Sequence, residues 1–334
     1  MIGTTKAEDF TAEAQRRRER PGSNPGQLTL LLSIVCLPLR LCVSAVKVVS
    51  LLLLLSSCAH QGDPPMTYAP GWHLRVLGIA QDGGVPHLGC ETGPCAAVRR
   101  GERRAEKVAC LGIGDGERAF LFDATPDFPA QIHAMGVKLP SGVFLTHAHI
   151  GHYTGLVHLG KEVAGAKGVP LYTTPKMKQF LASNAPWRAL LDNGNVDITD
   201  NADVDLGGVR VTAIQVPHRN EYADTVGYVI QGPRVRTLYI PDIDRWEIGD
   251  LRELVSSVDY AFLDATFFSG DELPGRDMSK VPHPLVTDTM DRLEGLGAKV
   301  WFIHLNHTNP LLGDPSPVER RGFHVAREGD VLPL

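Results

Sequence analysis

From position 73 the chain repeats one pattern: a short apolar run, then a turn that opens on a histidine or an aspartate. His73–Ile79 alternates in the way of a first strand. Val108–Ile113 and Ala119–Phe122 flank Gly114-Asp115-Gly116-Glu117, which predicts a hairpin. Further strands are expected over 141–145, 170–172, 209–216, 225–230, 235–240, 260–263 and 300–303. Helical periodicity appears over 128–135, 153–163 and 176–182. Residues 185–201 are rich in turn formers and read as a loop, either over the functional site or on plain surface. Strands alternating with helices predict a single α/β domain over 73–334.

The strand ends carry the chemistry. Successive runs finish at His147 and His149, at His218, at Asp242, at Asp264 and at His304. Functional groups of α/β sheets gather at the carboxyl ends of strands. A carboxylate that ends a buried strand must be paired or bind metal to offset its desolvation. The densest cluster is Thr146-His147-Ala148-His149-Ile150-Gly151-His152. In extended chain, positions i and i+2 point the same way, so His147 and His149 can converge on one point. His152 follows a glycine where a helix can begin. Neutral imidazole is the commonest metal ligand, which makes this a candidate metal site. Asp123, after Ala119–Phe122, is either a hydrogen-bond acceptor that orients a ligating imidazole or a cap for loop amides. Cys90 and Cys95 lie in a loop with His87. They read as a structural zinc site with that histidine, as a disulfide, or as free thiols. Cys110 reads as a small buried hydrophobe.

The first 72 residues look different. Residues 1–46 hold the charge run Arg16-Arg17-Arg18-Glu19-Arg20 and a Pro/Gly/Ser/Asn stretch, the composition of a solvated tail. Residues 47–58 run through Leu51–Leu55 into Ser56-Ser57-Cys58, as an export signal does before its cleavage site. Leu55-Ser56-Ser57-Cys58 resembles the lipobox of bacterial lipoproteins. That resemblance implies lipidation at Cys58 and attachment to a membrane in the periplasm or at the outer membrane. Pro38, Arg40 and Lys47 interrupt the alternative, a clean membrane span from Leu28 to Leu55. A signal ending at position 57 is long, and a start near 39–46 would give one of ordinary length. Residues 59–72 read as a tether.

Composition adds little. With 43% hydrophobic residues and a formal charge of −5, the chain is ordinary for a globular protein and shows no electrostatic footprint for nucleic acid. A small-molecule substrate is the expected partner.

The His-x-His-x-x-His motif resembles the His-x-His-x-Asp-His signature of the metallo-β-lactamase superfamily. The order His147, His149, His152, His218, Asp242, His304 is similar to that family's ligand series. Within the superfamily, Val216-Pro217-His218-Arg219, Leu238-Tyr239-Ile240-Pro241-Asp242, Asp264-Ala265-Thr266-Phe267 and His304-Leu305-Asn306 resemble the coenzyme PQQ synthesis protein B family. The resemblance implies an αββα sandwich with one or two Zn2+ at its edge. His147, His149 and His218 would hold one ion, and Asp242 would bridge to a second held by His152 and His304. It implies a hydrolase of an ester, amide or phosphodiester. An iron-dependent oxygenase is the alternative, since these donors also suit iron, and a non-catalytic metal-binding lipoprotein is a third reading. Asp264 and His307 are the expected catalytic residues. His307 could donate a proton to the leaving group, contact substrate, or be structural. Gly151 stands where the family has aspartate. The second ion is therefore expected to lack a carboxylate and bind weakly, and Gly151→Asp to tighten it.

Overall fold

In a computed structural model, residues 71–200, 203–273, 275–277 and 280–334 are described. The lipobox, Cys58, the N-terminal extension and most of the tether lie outside the described residues. Strand β1, His73–Gly78, begins two seven-stranded sheets. The first is ordered β14-β1-β2-β3-β4-β5-β6, with β2 at Cys110–Gly114, β3 at Ala119–Phe122, β4 at Gly142–Phe144, β5 at Val169–Tyr172, β6 at Val196–Thr199 and β14 at Val331–Pro333. The second is ordered β13-β12-β11-β10-β9-β8-β7. Here β7 is Asp203–Asp205, β8 Arg210–Gln215, β9 Val226–Gln231, β10 Arg236–Ile240, β11 Tyr260–Asp264, β12 Val300–Ile303 and β13 His324–Val325.

Period-two alternation explains the layers. Along β3, Phe120 and Phe122 enter the core shared with the second sheet, while Ala119 and Leu121 face outward to a second cluster. The shared core stacks Phe122 on Phe144 and sets Tyr228 and Tyr239 against Phe122. The outward cluster is covered by helices Phe128–Ala134 and Pro175–Ser183, through Phe128, Ile132, Met177 and Leu181. Helices Leu251–Ser256 and Val286–Arg292 bring Leu251, Val255, Val286 and Met290 to the second sheet. The result is the expected αββα sandwich.

In both sheets the later strands pair in parallel: β3 to β6 in the first and β10 to β13 in the second. Their carboxyl ends therefore point one way, and the motif loops collect at one edge.

Two local expectations are corrected. Residues 185–201 are not an open loop, because they contain helix Trp187–Asp192 and strand β6. The apolar residues Leu190 and Val196 bury against the outward cluster, and tertiary burial outweighs the local turn chemistry. The helix expected over 153–163 is a short turn, Ile150–Tyr153, followed by a 3-10 segment, Thr154–Leu159. Gly155 is pressed against the Thr125 carbonyl, where a Cβ would lie 2.1 Å from that oxygen, so the chain is positioned by this contact and not by helix propensity.

Candidate metal centre

The histidine motif leaves β4 and is pinned from both sheets. Val226 N donates to the Thr146 carbonyl at 3.0 Å, and Tyr228 Oη to the Leu145 carbonyl at 2.6 Å. Asp123, at the end of β3, accepts from Thr146 N at 2.8 Å and from its hydroxyl at 2.9 Å. His149 is extended and caps the turn Ile150–Tyr153 that carries His152.

Four donors then meet. His147 Nε2 lies 3.0 Å from His149 Nδ1, which lies 3.1 Å from His218 Nε2. Asp242 Oδ2 is 3.3 Å from His147 Nε2 and 3.2 Å from His218 Nε2. A tetrahedral zinc with bonds of about 2.0–2.1 Å separates its donors by about 3.3–3.4 Å. The spacing fits such an ion. A second group adjoins the first. Asp82, His152 and His304 bring their donor atoms within 4.8 Å of one another, and Asp242 Oδ2 lies 3.8 Å from His152 Nε2 and 3.9 Å from His304 Nε2. Asp242 thus stands between the two groups.

Every imidazole in these groups has its remaining nitrogen engaged. His147 Nδ1 meets the Thr146 hydroxyl at 2.9 Å, His149 Nε2 meets Glu221 at 3.2 Å and His152 Nδ1 meets Asp123 at 2.7 Å. His218 Nδ1 meets Asp244 at 2.8 Å, and His304 Nδ1 meets the Thr266 hydroxyl at 3.0 Å. Such partners fix the ring and raise its basicity toward a metal. Among the described residues, the non-glycine positions with left-handed backbone are Asp123 (φ 77°), His283 (φ 85°) and His304 (φ 67°), all at this centre. Strain of this kind is retained where the surroundings over-determine it, commonly at functional sites.

Burial and mutual charge set the titration of these groups. Burial pushes the imidazole of His147 well down, and those of His149 and His304 down as well. Burial also acts against a charged His152, but the Asp123 and Asp82 carboxylates outweigh it and push that imidazole up to about 10. Burial would raise the Asp242 carboxyl, yet His283 and His304 lead a set of imidazoles that hold it well below its ordinary value.

Sequence reasoning did not foresee Asp82, Asp244, Glu221, Thr266 or His283 here. Asp82 obeys the strand-end rule, since it lies four residues past β1. His283 has no such signal. It sits in an irregular segment, with Nδ1 2.8 Å from Asp264 and 3.2 Å from Asp242.

The two expected catalytic residues are placed differently. Asp264 is fully buried, and its oxygens accept from Ile243 N, from Thr266 N and Oγ1, and from His283. It positions Thr266 and His283 and does not open toward a substrate. His307 stacks on His87 at 4.3 Å, with Nδ1 3.8 Å from Cys95 Sγ. Cys90 and Cys95 are free thiols, and their sulfurs and a His307 nitrogen lie within 4.8 Å of one another, a third group able to hold a metal. It is His307, not His87, that completes this trio. The loop after β12 thus carries two histidines, His304 and His307, that belong to different groups.

Two adjoining His/Asp groups at the edge of an αββα sandwich define a metal-binding protein of metallo-β-lactamase architecture, and the donors suit a divalent ion. The chain belongs to the β-lactamase superfamily: the sequence profile of the Beta-lactamase superfamily domain matches residues 118–305, more than half of its length. It is 28% identical over 303 residues to the Coenzyme PQQ synthesis protein B of Azotobacter vinelandii, covering 77% of this chain and 98% of that protein. It is likewise 28% identical over 306 residues to the same-named protein of Cupriavidus necator, covering 78% of this chain and 99% of that one. The fold is similar to that of Zn2+-bound PqqB from Methylobacterium extorquens, with a TM-score of 0.67 and 24% identity over 78% of this chain and 100% of that one. It is also similar to a diphosphatase from the PhnP family, with a TM-score of 0.59 and 24% identity over 78% of this chain and 96% of that one.

Proposed function

We propose that this protein is a zinc-dependent hydrolase that cleaves an ester, amide or phosphodiester in a small molecule. The observation that carries this reading is the convergence of His147, His149, His218 and Asp242 at 3.0–3.3 Å, each imidazole held from behind by an oxygen. Zinc bound by such donors lowers the pKa of a coordinated water to about 7, which makes hydroxide available at neutral pH. The chain's own residues do the rest. Asp242 joins the two groups of imidazoles. His283, with Nδ1 2.8 Å from Asp264 and 3.2 Å from Asp242, ties Asp242 to the buried network behind it; burial pulls its imidazole down, and those two carboxylates push it well above its ordinary value. Among the imidazoles of the two groups, His149 is the most exposed. The His149 side chain is 14% exposed, while those of His147, His152, His218 and His304 are at most 1% exposed. Exposed Ile150 adjoins His149 in sequence, exposed Arg219 and Tyr222 lie close in sequence to exposed Glu221 on its Nε2, and together they give that face an apolar and mixed-charge character.

The similarity to proteins named Coenzyme PQQ synthesis protein B over nearly their whole length favours a second reading, a role in coenzyme PQQ synthesis, and since imidazole and carboxylate donors also suit iron, an iron-dependent oxygenase is the form of it to test. Metal analysis of purified protein, with ester, amide and phosphodiester panels and an oxygen electrode, separates the two. Zinc with hydrolytic turnover is expected, and His149→Ala should lose both the metal and the turnover. Iron with oxygen consumption would favour the second reading, and bound metal without turnover on either assay would leave a metal-binding protein that is no enzyme.

The Leu55-Ser56-Ser57-Cys58 motif supports export and lipidation at Cys58, which would put the protein at a membrane in the periplasm or outer membrane. Cys58→Ser should then accumulate as an unprocessed precursor. Release of mature wild-type protein without detergent would count against it.

A further inference from the structure

We infer that Asp82 is the carboxylate ligand of the second metal, and that Asp82 and Gly151 form an obligate pair in which the acid has moved from the histidine motif to the loop after β1. The inference rests on the metal centre described above and not on the reaction it performs.

Three observations carry it. First, Asp82 Oδ1, His152 Nε2 and His304 Nε2 are each shielded from solvent and lack a hydrogen-bond partner among the described residues. Buried polar atoms without partners are rare, and three that face one another call for a shared one. Their separations are at or beyond the hydrogen-bond limit, as His152 Nε2 is 3.5 Å from Asp82 Oδ1, an ion-pair distance, and are open enough to admit an ion. Second, the backbone places Asp82 there by design of the sheet edge. The segment after β1 pairs with the loop after β12, since Leu305 N donates to Ile79 O at 2.8 Å and Gln81 N to Leu305 O at 2.8 Å. This parallel contact sets Asp82 beside His304, one residue before Leu305.

Third, Gly151 leaves the room. A Cβ at 151 would lie 2.1 Å from Asp82 Oδ1 and 2.7 Å from Asp82 Cα. The volume that a motif aspartate would fill is the volume Asp82 occupies. Gly151 is not a vacancy in the ligand set but the condition for filling it from another strand. The shortage of a carboxylate expected from the motif alone is thereby removed: the second ion meets His152, His304, Asp82 and the shared Asp242. That is four protein donors with two anionic oxygens, a full set for zinc.

The test strips the full-length protein with chelator and titrates it with zinc, reading stoichiometry by metal analysis and affinity by a competing chromophoric chelator. Wild type is expected to take two ions at the His/Asp centre, counted above any held by the Cys90, Cys95 and His307 trio, which a Cys90→Ser/Cys95→Ser background removes. Asp82→Ala and the isosteric Asp82→Asn should keep the first ion at wild-type affinity. They should bind the second at least 10–100-fold more weakly, since losing a ligand costs no less than losing its hydrogen-bonded partner, which is worth about that factor. Circular dichroism of the stripped Asp82→Asn protein should match wild type, which separates loss of a ligand from loss of fold. Two ions held at wild-type affinity by both Asp82 variants would overturn Asp82's place while leaving the metal centre intact. A wild type that binds no zinc in this background would overturn the centre itself. Neither outcome depends on whether the protein is a hydrolase.

Discussion

Asp242→Ala is expected to empty both halves of the metal centre and to destabilise the metal-free fold by about 1–3 kcal/mol, the cost of leaving buried polar groups without their shared partner. Asp242 is 2% exposed and sits at the meeting point of the two groups, with Oδ2 3.3 Å from His147, 3.2 Å from His218, 3.8 Å from His152 and 3.9 Å from His304. Its other oxygen is 3.2 Å from His283. Without the metal, this carboxylate shares His283 with Asp264, which is 2.8 Å from the same nitrogen, while His152 is held by Asp123 at 2.7 Å. Its removal leaves His283 with one carboxylate in place of two and leaves the buried nitrogens of His147 and His218 without their shared acceptor. With the metal, its loss deprives each ion of an anionic ligand. Asp242→Asn preserves the shape and should show most of the same loss, which identifies charge as the cause.

The pH dependence follows from the direction of the shift. The Asp242 carboxyl lies well below its ordinary 3.8 when folded, so its contribution to stability is complete above that value and drains away as the pH falls toward the folded-state pKa. The gap between wild type and Asp242→Ala should therefore be full at neutral pH and narrow in acid. Urea unfolding of stripped protein at several pH values, with zinc counted per chain on the reloaded samples, reads both effects. An Asp242→Ala protein that unfolds at the wild-type midpoint and still loads two ions would refute the central place given to this residue.

The second large effect is at Gly151, and its sign reverses what the motif alone suggests. Restoring the superfamily's aspartate should weaken the second metal, not tighten it. The new Cβ would meet Asp82 Oδ1 at 2.1 Å, which a side-chain rotation can relieve. It would also meet Asp82 Cα at 2.7 Å, which only a backbone shift can relieve. That backbone is tied down by the hydrogen bonds of residues 79 and 81 to Leu305. Overpacking of this kind costs about 1–3 kcal/mol. Two carboxylates would then compete for one space. Gly151→Ala carries the steric half of the change without the charge and should already lose much of the second ion. Thermal melts and zinc titrations of both variants measure this. A Gly151→Asp protein with a tighter second site and an unchanged melt would show that the loop after β1 yields freely and that the pairing with Asp82 is wrong.

The same motif shows where reading along the chain stops. His147, His149, His218, Asp242 and His304 are legible because each follows an apolar strand, a local property of the sequence, and His152 because it completes the His-x-His-x-x-His spacing. An α/β domain is legible for the same reason, since buried strands and amphipathic helices announce their faces within a few residues, but the αββα sandwich was implied by the resemblance of the histidine motif to the metallo-β-lactamase superfamily. The lipobox reading at Cys58 depends on a local string alone. Asp82 was equally visible as a strand-end acid, but nothing local says that β1 runs beside the loop after β12, because Ile79, Gln81 and Leu305 meet across more than 200 positions of chain. Asp264 and His307 carry suitable chemistry at strand ends, yet one is turned into a buried hydrogen-bond network and the other toward Cys95. Residue type and spacing determined which groups reach the edge of the sandwich. Which of them face each other there was decided by sheet pairing and close packing, since both are set by contacts between segments far apart in the chain.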